Sequence, residues 1–127
     1  MSDKTIYALS TVFGKSGVAV IRVSGADALN VIKEITKINV ENIKPRYAYY
    51  TPILDKNNRD LLDKALVVYF KAPHSFTGED VVEINCHGSK AVLNSVLNCL
   101  GSFSELRLAE AGEFSKRAFY NQKMDLT

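Results

Sequence analysis

Apolar residues recur along this chain at two spacings, every second residue and every three to four, and each spacing predicts an element. β-branched, apolar runs at 5–11 and 17–23 predict two strands separated by Val12-Phe13-Gly14-Lys15-Ser16. Ser24-Gly25 then opens a predicted helix reaching about Lys37. Ala28, Leu29, Ile32 and Ile35 share its inner face, and Asp27 falls in its first turn. Lys44-Pro45 restarts the chain into a predicted strand, Arg46 to Leu54. The turn Asp55-Lys56-Asn57-Asn58-Arg59-Asp60 follows, then a long strand from Leu61 to Phe70. A short strand is expected at 81–86. Ser89 is a candidate N-cap for a helix with Val92, Leu93, Val96, Leu97 and Leu100 as its inner stripe and Gly101 at its end. A strand at 104–110 and a helix at 112–121 complete the pattern. Strands dominate and helices interleave without strict alternation, so the expected class is α+β, a mixed, mostly antiparallel sheet with about three helices.

Two segments carry more polar chemistry than a core requires. Ala72-Pro73-His74-Ser75-Phe76-Thr77-Gly78-Glu79-Asp80 is a turn-rich loop that runs into Val81-Val82-Glu83-Ile84-Asn85-Cys86-His87-Gly88. The second segment is Ala111-Gly112-Glu113-Phe114-Ser115-Lys116-Arg117-Ala118-Phe119-Tyr120-Asn121-Gln122-Lys123-Met124-Asp125-Leu126-Thr127. A globular core does not ask for these residues, whereas a loop and strand end that bind something would.

Composition narrows the classes. A chain of 127 residues with 46% hydrophobic residues is long enough for one domain with its own core. The net charge of +2 gives no global electrostatic case for nucleic-acid binding. Cys86 and Cys99 lack CxxC spacing and read as free thiols. No apolar run approaches the ~20 residues of a membrane span. Met1-Ser2-Asp3-Lys4 has no apolar h-region behind it, so a cytoplasmic protein is expected.

Glu83 and Arg22 are the charged residues that the strand pattern explains least. Val81, Glu83 and Asn85 share one strand face, and Arg22 interrupts Ala19-Val20-Ile21-Arg22-Val23. An unpaired charge buried among valines loses several kcal/mol of hydration, on the order of 5. Either the two strands are neighbours and the charges pair, or that face is open to water. Phe76, Phe114, Phe119, Tyr47, Tyr49 and Tyr50 have the surface to stack on a ring, although core packing is the commoner fate of such residues. Gly78 reads as a turn glycine.

Three other groupings fail on spacing. Gly14-Lys15-Ser16 has the tail of a phosphate-binding loop, but Leu9 stands where its first glycine belongs and a strand follows. Cys86, His87, His74 and Cys99 lack zinc-ligand spacing. Ser75 with His74 or His87 lacks a nucleophile elbow and a third member.

The motifs SFTGEDVVEI-x-x-HG (residues 75–88) and AGEFSKRAF-x-N-x-K-x-DL (111–126), in that order, resemble the N-terminal domain of the MnmE (TrmE) family of tRNA-modification GTPases. Thr5-Ile6-Tyr7-Ala8-Leu9-Ser10-Thr11, Gly17-Val18-Ala19-Val20-Ile21-Arg22-Val23-Ser24-Gly25 and Lys44-Pro45-Arg46-Tyr47-Ala48 agree with it, so the resemblance covers essentially the whole chain. It implies a fold like the folate-binding part of glycine-cleavage T-proteins, a bound 5-formyltetrahydrofolate and a homodimer. By the same resemblance, Glu83 would accept hydrogen bonds from the pterin, and Arg22 and Lys123 would be the other folate-binding positions. The resemblance implies no catalytic residue and no metal ligand in this segment. The family protein acts with an MnmG-type flavoprotein on the wobble uridine of tRNAs. Its GTP, magnesium and potassium belong to a G domain that this segment lacks, so residues 1–127 are expected to be a fragment without GTPase activity. Two alternatives stand beside this reading: a dimerisation module that binds no ligand, and a T-protein-like one-carbon transferase. The sequence departs from the family pattern at 12–17, at Ala19, where glycine is common, and at His87-Gly88-Ser89, where the family has a double glycine.

Overall fold

The computed structural model describes residues 4–13 and 17–122. In chain order its elements are β1 (Thr5–Phe13), β2 (Val18–Ser24), α1 (Ala28–Ile35), a short 3-10 turn (Val40–Asn42), β3 (Tyr49–Leu54), β4 (Leu61–Phe70), β5 (Val81–His87), α2 (Lys90–Gly101), β6 (Leu106–Leu108) and α3 (Glu113–Tyr120). The strands form one six-stranded sheet in the order β3-β4-β5-β2-β1-β6. Every neighbouring pair is antiparallel except β1 and β6, which run parallel. The fold is α+β with a mixed sheet and three α-helices among the described residues.

One sheet face builds the core. Ala19, Ile21 and Val23 of β2 lie beside Cys86, Ile84 and Val82 of β5, and Ala65, Val67 and Tyr69 of β4 continue the layer. α1 contributes Ala28, Val31, Ile32 and Ile35, and α2 contributes Val96, Cys99 and Leu100. Fully burying each large aliphatic side chain stabilises the fold by about 1.5–3 kcal/mol. The strands β2, β4 and β5 therefore present alternate residues to the helices and leave the intervening ones on the opposite face.

Several boundaries differ from the sequence expectation. α1 begins at Ala28, three residues beyond Gly25, because Ser24 still belongs to the β2 ladder and Gly25 adopts φ 141. Gly25 crosses closely over β1: a Cβ there would lie 2.6 Å from Thr5 Oγ1 and 2.7 Å from Thr5 Cα. Asp27 consequently occupies the N-cap, not the first turn, and its side chain makes no capping bond. Its backbone N–H instead donates to Thr5 Oγ1 at 2.8 Å. The buried stripe is 28, 31, 32 and 35, the i, i+3, i+4, i+7 series, so Val31 goes inside while Leu29 is half-buried. β3 starts at Tyr49; Arg46, at φ 62, is turned off the strand path.

Other expectations are met closely. β4 runs from Leu61 to Phe70 as expected. The preceding turn is held by the Asp55 carboxylate, which accepts from the backbone N–H groups of Asn57 and Asn58 at 2.9 and 3.0 Å. Ser89 caps α2, its hydroxyl accepting from Val92 N–H at 3.3 Å. In α2 the fully buried positions are Val96, Cys99 and Leu100, while Val92, Leu93 and Leu97 are half-buried. Cys99 is the core position that the stripe of aliphatic residues did not include.

Candidate functional site

Arg22 and Glu83 stand directly opposite each other on the adjacent strands β2 and β5. Val68 of β4 flanks Glu83, and Ala8 of β1 flanks Arg22, so one row of the sheet reads Val68-Glu83-Arg22-Ala8. Arg22 Nε donates to Glu83 Oε2 at 2.7 Å, and Arg22 Nη1 donates to Ser10 Oγ at 2.9 Å. Ser10 sits at an irregularity in the β1–β2 register between Leu9 and Thr11. The charges therefore pair, as the neighbouring-strand alternative required, on the face opposite the helix-covered core. The pair is also reached by water: the side chains of Arg22 and Glu83 are 35% and 21% exposed. A pair in this setting escapes the full desolvation penalty and contributes modestly to stability. Glu83 Oε1 makes no hydrogen bond to a described residue, which leaves the carboxylate with lone pairs for a donor from outside the fold.

The rest of the two motif segments is tied together. In the loop before β5, Thr77 is fully buried and its hydroxyl shares a 2.7 Å hydrogen bond with Ser24 Oγ. Gly78 adopts φ 82, the left-handed conformation a turn glycine supplies. Ser24 Oγ also donates to Glu79 Oε1 at 2.7 Å, and Asp80 accepts from Tyr69 OH and from the Ala72 N–H. From α3, Arg117 Nη1 donates to Glu79 Oε1 at 3.0 Å and Nη2 to Lys4 O at 2.7 Å. Glu113 receives both terminal nitrogens of Arg107, one of its oxygens also accepts from Glu110 N–H, and Arg117 approaches at 3.3 Å. Asn121 Nδ2 donates to Thr77 O at 2.8 Å.

This network is more enclosed than the Arg22–Glu83 pair, with Arg117 and Glu113 side chains 12% and 10% exposed. The paired Arg107 guanidinium is the chief cause that holds the Glu113 carboxyl down to about 2, helped by the Glu110 N–H and Arg117. Glu79, Glu113, Arg107 and Arg117 are therefore structural fasteners between the loop, β1, β6 and α3. Much of the polar chemistry of the two motif segments joins them to each other and to their neighbours. No motif spacing pointed to the Arg117–Glu79 contact, which spans 38 residues.

Lys123 lies outside the described residues, as does Gly14-Lys15-Ser16. Among residues named for chemistry on spacing alone, Cys86 and Cys99 are buried, and burial pushes the Cys86 thiol up to about 11 and raises Cys99 as well. His87 Nδ1 pairs with Asp63 Oδ1 at 2.8 Å, and Ser75 Oγ donates to Glu79 O. Among the described residues, no three His, Cys, Asp or Glu side chains gather as a metal cage. The aromatic group departs from core packing: Phe76, Phe119, Tyr47 and Tyr50 are exposed, and Tyr47 instead meets Tyr49 edge-on at 4.7 Å between centroids. Two cavities lie away from Arg22 and Glu83. One, of 380 Å³, is bounded by Lys37–Asn39 and Tyr49–Pro52; the other, of 280 Å³, is lined by Pro45, Arg46, Lys71 and His74. No helix among the described residues is long and apolar enough to cross a membrane.

The family described as GTP-binding protein TrmE N-terminus matches residues 5–123. A protein of Rickettsia bellii named tRNA modification GTPase MnmE is 56% identical over 124 residues, covering 98% of this chain and 27% of that protein. Proteins of the same name from Rickettsia akari and a Sulfurovum species are 54% and 50% identical, again over 98% of this chain and 27% of their own lengths. The chain spans 27% of the length of these curated relatives.

Proposed function

From the premise that this chain belongs to the TrmE N-terminal family, we propose that residues 1–127 form the folate-binding and dimerisation domain of a tRNA-modification GTPase. The observation that carries the folate reading is the partly exposed Glu83 carboxylate, fixed by Arg22 yet with one oxygen that accepts from no described residue. A pterin offers an amide N–H beside a 2-amino group, two donors that a carboxylate accepts side by side. Glu83 fits that demand because Oε1 is open and Oε2 keeps a lone pair beyond the one that Arg22 uses. Arg22, a permanent cation, orients the carboxylate and supplies positive charge to the oxygen groups of an anionic folate. Lys123 is the third proposed contact. Bound 5-formyltetrahydrofolate would supply the one-carbon unit; the residues here bind and orient it.

The wider activity follows from the same family and belongs to the longer protein. In that reading GTP, magnesium and potassium are used in a G domain beyond this segment, and the protein acts in the cytoplasm with an MnmG-type flavoprotein on the wobble uridine of tRNAs. The proposed homodimer is supported by β3, an edge strand of the sheet, and by exposed Tyr50 and Leu66, which a second copy would cover. A fold shared with the glycine-cleavage T-protein is part of the proposal.

Calorimetric titration with 5-formyltetrahydrofolate tests it. Saturable binding by the wild-type chain, lost in a folded and still dimeric Glu83→Ala variant, is the expected result. Equal binding by both proteins would remove Glu83 from the site. No binding by a folded, dimeric wild type would favour the scaffold-only alternative.

A further inference from the structure

The motif Lys44-Pro45-Arg46-Tyr47-Ala48 has no part in the folate reading, and neither does His74 of the loop before β5. The structure brings both to one place. Pro45, Arg46, Lys71 and His74 line a cavity of 280 Å³, and three of its four lining residues are basic. All four are exposed, and the three basic side chains make no hydrogen bond or ion pair to any described residue. In the adjoining loop Glu79 is paired with Arg117, while the Asp80 carboxylate stays beside this turn and accepts from the Tyr69 hydroxyl and the Ala72 N–H. Two cations and an imidazole converge here, and none of the three makes an ion pair with a described residue.

Arg46 is also held in an unfavourable backbone state. Its φ of 62 is one that a residue with a Cβ rarely adopts, and its N–H is fixed to Tyr69 O at 2.8 Å. Backbone strain of this kind persists where the surrounding structure enforces it, and such positions cluster at ligand sites. The strained residue presents a guanidinium, with five N–H donors in a planar fork suited to phosphate. Lys71 follows directly on Phe70, the last residue of β4, and the turn after it is closed by the His74 N–H to Lys71 O at 2.8 Å. A guanidinium fork on a fixed backbone, an ammonium and an imidazole line one concavity, a donor set suited to an oxyanion.

We propose that this cavity binds a phosphate group. Net charge of +2 did not disclose it, because the cations are balanced over the chain and concentrated locally. The site is separate from Glu83: along β4, Lys71 lies three residues beyond Val68, the register partner of Glu83, a rise of about 10 Å. The phosphate comes either from an RNA backbone or from a small phosphorylated molecule. The RNA source rests on the proposed role in tRNA modification; the anion site does not.

The test is a titration of the isotopically labelled chain with pyrophosphate, followed by amide chemical shifts, and a parallel titration with a fluorescent single-stranded RNA at several salt concentrations. Variants are Arg46→Asn, which keeps a residue tolerant of the left-handed backbone, and Lys71→Ala, at an exposed position. The expected result is pyrophosphate shifts confined to the amides of Arg46, Tyr47, Lys71, Ala72, His74 and Ser75, lost in both variants. RNA that displaces pyrophosphate, with a salt slope that falls by about one in each variant, identifies a backbone phosphate. Pyrophosphate binding that RNA leaves undisturbed identifies a small phosphorylated ligand. Shifts scattered over the lysines of the whole chain, or shifts that survive in both variants, overturn the proposal. Glu83→Ala serves as control: it leaves the pyrophosphate shifts intact while folate binding is lost, so failure of one site is distinguishable from failure of the other.

Discussion

Two ion-paired regions of this fold use the same residue types to different ends. Arg22–Glu83 is one pair on a strand face, partly exposed, with one further side-chain hydrogen bond among the described residues, to Ser10. The Arg107–Glu113–Arg117–Glu79 chain is multiply bonded and anchored at Ser24 and Lys4 O, with an enclosed centre at Glu113 and Arg117 and partly exposed ends at Arg107 and Glu79. Removing a partner from an enclosed, fully engaged network strands a charge away from water; removing one from an accessible pair exposes it to solvent. A residue whose bonding is complete inside the protein serves the fold. One held in place with bonding capacity to spare is available to a ligand.

Breaking the enclosed network should have the largest effect on stability. Arg117→Ala leaves Glu79 without its guanidinium and detaches α3 from Lys4 O, and urea unfolding should show a loss of about 3 kcal/mol. A loss below about 1 kcal/mol would place this network in the same class as the exposed pair.

Acid sharpens the contrast. Glu113 has a carboxyl held near 2 in the fold against an ordinary value of 4.5, so its contribution is fully present above 4.5 and is lost as pH falls from there toward 2. The depressed value means that the unfolded chain takes up the proton first, and stability drops with falling pH. The loss across that window should approach about 3 kcal/mol. In Glu113→Gln the urea midpoint should vary less between pH 5 and pH 2 than in the wild type, with a lower starting stability at neutral pH.

Gly25→Ala attacks the crossing that brings Ser24 and Asp80 together. Gly25 N–H donates to Asp80 O at 2.9 Å, and the added Cβ would collide with the Thr5 backbone at a φ suited to glycine. A destabilisation of about 2 kcal/mol is expected from the backbone and the contact together. Thermal unfolding of the variant checks it.

These regions were not equally legible in the sequence. Apolar patterning located the strands and the first two α-helices, although β6 covers only Leu106–Leu108 of the expected 104–110 and the 3-10 turn at Val40–Asn42 was not foreseen. Ser89 and Asp55 disclosed a cap and a turn through local bonding rules. Glu83 and Arg22 were visible because each interrupts an apolar strand, and alternation put Glu83 opposite the core face. Their pairing needed the strand order, which local spacing does not contain. The start of α1 was misplaced because Gly25 obeys a contact with Thr5, 20 residues earlier, instead of a helical preference. Glu79 and Arg117 looked like polar residues of a binding loop, since the contacts that occupy them run between distant segments. Likewise Arg46 lies 25 residues before Lys71, which shares one turn with His74, and it meets them only in the fold.

The account rests most directly on the claim that Glu83 is held for a ligand and not for the fold. Urea unfolding and 5-formyltetrahydrofolate titration of Glu83→Gln, run beside the wild type, measure both sides of that claim. The account predicts a stability change below about 1 kcal/mol together with loss of folate binding. A variant that binds folate like the wild type while losing several kcal/mol of stability, on the order of the loss in Arg117→Ala, would contradict it.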